Sequence, residues 1–154
     1  MEVRLEQRKP VRVAFVRHVG PYEECDAAWE KLSKFAAEQA WSPSNILRIG
    51  IGHDNPEINP ADKLRYDACL TVDDRFQATG EIGVQEIPGG EYAVVTHRGP
   101  YSNLADTWRH IFREWLPNSG REMRSGPCFE IYVNDPTTTP PDELVTLIHV
   151  PLKS

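Results

Sequence analysis

Apolar and polar residues alternate along several short stretches of the chain, which is the pattern of β-strands with one buried face. Other stretches are short Val- and Ile-rich runs bounded by turn residues, which also predict strands. Together the predicted strands cover residues 2–7, 11–17, 46–53, 65–72, 81–87, 91–97, 127–133 and 144–150. The Pro-Gly-Gly sequence at residues 88–90 predicts a hairpin turn between two of them.

Two further stretches carry apolar residues at helical spacing. The first runs from Tyr22 to Ala36, and Pro21 suits its first helical position. The second runs from Tyr101 to Trp115 and is expected to end at Pro117 and Gly120. The elements therefore follow the order ββαββ twice. This order predicts an α+β fold in which helices cover one face of an antiparallel sheet.

The two predicted halves also share a sequence motif. His-Val-Gly-Pro-Tyr at residues 18–22 returns as His-Arg-Gly-Pro-Tyr at residues 97–101, and a Trp follows each Tyr at the same spacing. We interpret this as a tandem duplication within one domain, residues 1–154, with pseudo-repeats of about 1–74 and 80–154. Taken alone, the motif is structural, since aromatic residues at helical spacing usually pack in a core.

The two halves differ most at the strand that follows the helix. The apolar positions of the segment 48–56 align with those of the segment 128–136, and we expect these side chains to pack under the helices. The other face of this strand carries Gly50 and Gly52 in the first half, but Glu130 and Tyr132 in the second. If the halves meet here, the glycines leave space opposite a carboxylate and a phenol. Alternatively, Glu130 lies on a solvated face and Gly50 at a bulge.

Composition excludes several classes of function. With 154 residues and 40% hydrophobic residues the chain suits one globular domain, and a formal charge of −6 argues against a nucleic-acid groove. The cysteines Cys25, Cys69 and Cys128 form no CxxC pair, so reduced thiols of a cytoplasmic protein are expected. No apolar run is long enough to cross a membrane. No histidine has metal-ligand spacing, so we expect no metal and no cofactor.

Four segments resemble the GyrI-like small-molecule-binding domain family: RHVGPYEECDAAWEKL, DNPEINPADKLRYDACLTV, IPGGEYAVVTHRGPY and PCFEIYVNDPTTTPPDELVTLIHVPL. That family includes the stand-alone DNA gyrase inhibitory protein and effector domains of AraC-class and MerR-class transcription regulators. The segments are most similar to the C-terminal domains of AraC-class regulators. The resemblance implies a duplicated, tandem SHS2-like α+β fold with a ligand cleft between the halves. It also implies an acidic residue, ringed by aromatic side chains, that selects lipophilic cations in some members.

The position that matches this acidic residue is Glu130. Strand alternation and the resemblance together predict a ligand-binding set of Glu130, Tyr132, Tyr22, Trp29, Gly50, Gly52, Tyr66, His97, Tyr101, Trp108 and His149. The last strand departs from the family, because relatives commonly have an acid at Leu147 and Tyr at His149. A histidine at the cleft rim would make binding pH-dependent.

Three functions follow as hypotheses. The first is a stand-alone domain that binds or senses lipophilic, cationic or amphipathic small molecules, as in multidrug binding and transcription regulation. The second is a metal-independent hydrolase of reactive cyclopropane-type natural products, in which Glu130 is the catalytic acid and base. The third is a protein inhibitor whose partner is DNA gyrase or a regulator. None of the three requires direct contact with nucleic acid or a membrane.

Overall fold

Eight strands form one antiparallel sheet. In the computed structural model, which describes residues 1–42 and 45–154, the strands are β1 (Glu2–Arg8), β2 (Val11–Val19), β3 (Arg48–Gly52), β4 (Arg65–Thr71), β5 (Gly83–Ile87), β6 (Gly90–Arg98), β7 (Cys128–Tyr132) and β8 (Val145–Pro151). The predicted strands and the α+β class are confirmed.

Each helix begins after a short 3-10 turn, and the second helix is irregular. The 3-10 turn Tyr22–Glu24 precedes the helix α1 (Asp26–Glu38), and the 3-10 turn Tyr101–Asn103 precedes α2 (Leu104–His110), which is followed by α3 (Leu116–Ser119). A π-helical turn, Ile111–Trp115, joins α2 to α3. Pro117 does not end the helix as predicted, because the π turn already interrupts the regular bonding before it. The helix ends at Gly120, which has a left-handed φ of 73°.

The strand order is β1-β6-β8-β7-β3-β4-β2-β5, in which the leading strand of each half pairs with the other half. β1 pairs with β6, and β5 pairs with β2. The predicted Pro-Gly-Gly hairpin is therefore wrong, since the two strands that this stretch joins, β5 and β6, do not pair with each other. A Cβ on Gly89 would lie 2.8 Å from the carbonyl oxygen of Arg8, so the two crossovers pass in contact with each other.

The middle of the sheet is the pairing of β3 with β7. Gly50 lies directly opposite Glu130 in an antiparallel register. The strand order also reads the same from both ends when each strand is replaced by its counterpart in the other half. The halves therefore meet at these two strands. The tandem duplication and the single-domain assignment stay predictions from the sequence.

One face of the sheet carries both helices. Cross-strand pairing aligns Val95, Ile148, Glu130, Gly50 and Ala68 in one row on this face. α1 packs on the first half at one end of the row, and α2 packs on the second half at the other end. The space between the two helices therefore lies above β3 and β7.

The opposite face carries its own buried core. Ile49, Ile51, Phe129 and Ile131 lie there, so they do not pack under the helices as predicted. Residues from β2 through β7 form one buried cluster on this face, although no helix of the described part covers it. The sheet therefore curls and covers this face with its own ends.

The repeated Gly-Pro-Tyr motif turns each strand into its helix. Gly20 and Gly99 have φ angles of 137° and 123°, which L side chains rarely adopt. Their N–H groups donate to equivalent carbonyl oxygens of the two halves at 2.8 Å. In each motif the histidine Nε2 donates to the proline carbonyl oxygen, at 2.9 Å from His18 and 3.3 Å from His97. The motif thus has the same structural role twice.

A buried carboxylate, Asp67, links strands on the face opposite the helices. It is 0% exposed and accepts hydrogen bonds from Arg17 at 2.8 and 2.9 Å, from His53 at 2.7 Å and from Gln85 at 2.8 Å. Burial alone would raise the pKa of Asp67. The hydrogen bonds from Arg17, His53 and Gln85 outweigh burial and hold this pKa well below its usual range.

Replacing Asp67 with Asn should lower the free energy of unfolding by about 2–3 kcal/mol at pH 7, because charged hydrogen bonds are lost in a buried place. The lowered pKa means that this stabilisation is present above the pKa of an unfolded aspartic acid, about 4, and is lost as the pH falls below it. Urea unfolding measures the difference in free energy of unfolding between wild type and the variant. This difference should be about 1 kcal/mol smaller at pH 3 than at pH 7. Asp74→Asn, at an exposed position, is the control. A difference that does not change with pH would contradict this account.

Replacing Gly50 with Ala should lower the free energy of unfolding by about 1–3 kcal/mol, the usual effect of overpacking. The new Cβ would clash with the hydroxyl oxygens of Tyr132 and Tyr66. Gly52→Ala is the matched control in the same strand, since its Cβ would meet the Tyr22 hydroxyl at an ordinary 3.5 Å. Chemical unfolding of both variants checks the prediction, and equal stabilities would overturn it.

Candidate functional site

A partly buried carboxylate lies on the helix-covered face, between α1 and α2. Glu130 projects from β7 and accepts a hydrogen bond from Trp108 of α2, whose Nε1 lies 2.8 Å from Oε2. The hydroxyl of Tyr132, two residues along the same strand, donates to Oε1 at 2.8 Å. Each carboxylate oxygen therefore has an aromatic side chain as its donor.

A chain of donors connects this carboxylate to the other half of the molecule. Because the Tyr132 proton is directed to Glu130, Tyr66 of β4 must donate to the Tyr132 oxygen, at 2.7 Å. Trp29 of α1 in turn donates from Nε1 to the Tyr66 oxygen at 3.1 Å. Four aromatic side chains from both halves thus orient their donors towards one charge.

Burial sets the electrostatics of this group. It raises the pKa of Glu130, and the hydrogen bonds from Trp108 and Tyr132 and the neighbouring His97 oppose this rise without cancelling it. Burial also raises the pKa of Tyr66 and Tyr132 well above the usual range, so both phenols keep their protons. A carboxyl of this kind can balance a bound cation or exchange a proton with a bound molecule.

Aromatic rings surround the carboxylate. Tyr101 lies with its ring centroid 5.5 Å from that of Tyr132, and Trp29 meets Tyr132 edge-on at 5.8 Å. Tyr22 lies 5.8 Å from Tyr66. We call the following residues the aromatic cluster: Tyr22, Trp29, Tyr66, Tyr101, Trp108 and Tyr132. The structure thus brings together Glu130 and the predicted aromatic residues.

The two equivalent tyrosines of the motif differ in their hydroxyl groups. Tyr22 donates to the Asp54 carbonyl oxygen at 2.6 Å and accepts from the Asp54 N–H at 3.1 Å. The buried Tyr101 hydroxyl has no hydrogen bond of ordinary geometry within the described part of the chain, and neither has Thr146 Oγ1 beside Tyr132. Tyr101 can therefore donate to a bound molecule, which Tyr22 cannot do without breaking its own bonds.

The predicted glycines and His97 lie close to the carboxylate, but in supporting positions. Gly50 lies under the hydroxyls of Tyr66 and Tyr132, so its missing side chain makes room for two phenols rather than for a ligand. Gly52 lies under Tyr22. His97 is buried and accepts from Thr107 Oγ1 through Nδ1 at 2.8 Å, since its Nε2 donates to a carbonyl oxygen.

His149 is not at the rim of a cleft, contrary to the prediction. It lies on the opposite face of the sheet, 0% exposed, with its ring stacked 4.4 Å from that of Phe129. Burial lowers its pKa to about 4, so it stays neutral near pH 7. The reason is register: Ile148 pairs with Glu130 and faces the helices, and the next residue must face away.

Arg48, which is absent from the predicted ligand-binding set, lies against the aromatic cluster. Its guanidinium carbon is 5.0 Å from the ring centroid of Trp29 and 5.8 Å from that of Tyr132. The signal was available, because Arg48 is two residues before Gly50 and therefore shares its face of the strand.

Other chemistry has little support around the site. Burial raises the pKa of Cys25 to about 11, so its thiol is protonated and a poor nucleophile near neutral pH. Within residues 1–42 and 45–154, no cluster of His, Cys, Asp and Glu side chains has the arrangement of a metal site. In the same residues no helix combines the length and the apolar character needed to cross a membrane.

Comparison with known proteins agrees with this architecture. The DNA gyrase inhibitor of Escherichia coli strain K12 is 34% identical over 144 residues, which cover 88% of this chain and 87% of the relative. The crystal structure of the EcmrR C-terminal domain has a TM-score of 0.78 at 19% identity and covers 99% of this chain and 98% of that domain. A structure bound to tetraphenylphosphonium has a TM-score of 0.66 at 15% identity, over 100% of this chain and 95% of that protein.

These two structures show the shared fold, and the family itself is shown by sequence. Residues 1–153 match the family model described as the GyrI-like small molecule binding domain. The chain therefore belongs to the GyrI-like small-molecule-binding domain family.

Proposed function

We propose that this chain binds lipophilic organic cations at Glu130 and the aromatic cluster. The observation that carries this proposal is a carboxylate whose two oxygens are held by Trp108 and Tyr132 at 2.8 Å, with aromatic rings around it. The position is partly shielded from water, so a charge there interacts more strongly than at the surface.

The chemistry favours one class of ligand. Aromatic faces attract cations, and the carboxylate supplies a fixed counter-charge. A small, strongly hydrated cation would lose much hydration free energy in such a place, whereas an organic cation with a shielded charge loses little. The free Tyr101 hydroxyl adds one donor for a polar group of the ligand. Lipophilic cations therefore suit the site better than metal ions or anions.

Two comparisons support the proposal. The family is defined by small-molecule binding. One neighbour in fold was solved with tetraphenylphosphonium, a lipophilic cation. The hydrolase hypothesis stays a prediction; it would use the same carboxyl, whose raised pKa suits proton transfer.

Tetraphenylphosphonium should bind the wild-type chain more tightly than tetraphenylborate, which has the same shape and the opposite charge. Glu130→Gln should weaken tetraphenylphosphonium binding by roughly 10- to 100-fold, because a shielded counter-charge is removed. Calorimetric titration measures the dissociation constants. Glu86→Gln, at an exposed position of β5, is the matched control and should leave them unchanged.

The pH dependence tests the same carboxyl. Lowering the pH protonates Glu130 and removes its charge, so wild-type affinity for tetraphenylphosphonium should fall. Because the pKa of Glu130 is raised, this fall should begin at a higher pH than the titration of an ordinary glutamic acid would give. Glu130→Gln should lack this step. Equal binding of the two probes, or equal binding by wild type and Glu130→Gln, would overturn the proposal.

A second candidate function is the inhibition of DNA gyrase. It is favoured by the 34% identity to the E. coli DNA gyrase inhibitor over most of both chains. If this function is correct, purified protein in molar excess over gyrase should reduce the rate of DNA supercoiling, with bovine serum albumin as the control protein. An unchanged rate of supercoiling would contradict gyrase inhibition, while the proposal of small-molecule binding would still stand.

A further inference from the structure

The guanidinium of Arg48 lies among the rings of the aromatic cluster, whose faces attract cations. It pairs with Tyr132 across the β3–β7 register, so both side chains stand on the helix-covered face. The guanidinium is within cation–π distance of the Trp29 and Tyr132 rings, at 5.0 and 5.8 Å. Both rings also belong to the donor chain that ends at Glu130.

Two further groups face the same guanidinium. Burial raises the pKa of Tyr101, and Arg48 opposes this rise through its charge and through its approach to the hydroxyl oxygen, so the guanidinium lies close to the Tyr101 hydroxyl. Hydrogen bonds from Thr137 lower the pKa of Asp135, an exposed residue of the loop after β7, and the charge of Arg48 lowers it further. The Asp135 carboxylate is therefore near enough to attract the guanidinium if it leaves the rings.

We propose that Arg48 is an internal cation that competes with ligands and so determines which cations the site accepts. The inference rests on the proposed function. A ligand must displace the guanidinium from Trp29 and Tyr132, and only a cation that gains more from these rings than Arg48 does will bind. Arginine suits this role, because its planar and weakly hydrated guanidinium stacks on aromatic faces better than an ammonium group.

Arg48→Met tests the inference, since methionine fills a similar volume without the charge. Tetraphenylphosphonium should bind this variant roughly 5- to 30-fold more tightly than wild type, the factor expected when two cation–π contacts no longer compete. Tetraphenylborate should not bind more tightly. Arg48→Lys, which keeps a charge without the planar stacking, should have an intermediate affinity for tetraphenylphosphonium.

Arg75→Met is the matched control at an exposed position and should behave as wild type. Arg48→Gln carries the same expectation as Arg48→Met and replaces it if that variant does not fold. Binding of tetraphenylphosphonium by the Arg48 variant alone would support the inference, because wild-type Arg48 would then block the site.

Two results would overturn the inference while the proposed function stands. One is an unchanged or weaker affinity for tetraphenylphosphonium in Arg48→Met, when wild type binds it. The other is an equal tightening for both probes, which would mean that Arg48 acts through its volume and not its charge. If neither protein binds tetraphenylphosphonium, the inference and the proposed function are both wrong.

Discussion

The carboxylate of Glu130 lies on a helix-covered sheet face, and most of the site is arranged to accommodate that one charge. An unpaired carboxylate there would cost several kcal/mol, so Trp108 and Tyr132 each donate to one oxygen. The Tyr132 hydroxyl donates its hydrogen bond to Glu130, so the Tyr132 oxygen accepts a hydrogen bond from Tyr66. Trp29 in turn donates to the Tyr66 oxygen. One charge on β7 therefore accounts for the positions of aromatic residues on α1, α2, β4 and β7.

The exchange of leading strands restricts how this site can open. β1 completes the sheet of the second half, and β5 completes that of the first, while β3 and β7 are hydrogen-bonded between them. Neither half can move away without breaking a strand pairing of the other. Access to Glu130 therefore depends on side chains above the sheet, among them Arg48, which contacts the ring faces of Trp29 and Tyr132 and lies close to the Tyr101 hydroxyl.

Sequence periodicity located the strands and helices and placed Gly50, Glu130 and Tyr132 on one face, because alternation is a local property of the chain. It could not tell which face meets the helices, since Ile49 and Ile131 are as apolar as a helix-covered face would be. The hairpin prediction failed for a related reason: Pro-Gly-Gly permits a turn, but the partner of β5 is set by pairing far along the chain. His149 was misplaced because its orientation depends on the β7–β8 register.

The near-symmetry of the sheet makes the differences between the halves informative. Trp29 and Trp108 are equivalent in the repeated motif, yet Trp108 donates to a carboxylate and Trp29 to a phenol. The cause is the central strand pair, where Glu130 faces Gly50. A carboxylate at both positions would place two like charges side by side, and two glycines would leave no charge to recognise. A single acid on one strand and a single cation, Arg48, on the other give the proposed site its position at the seam of two similar halves.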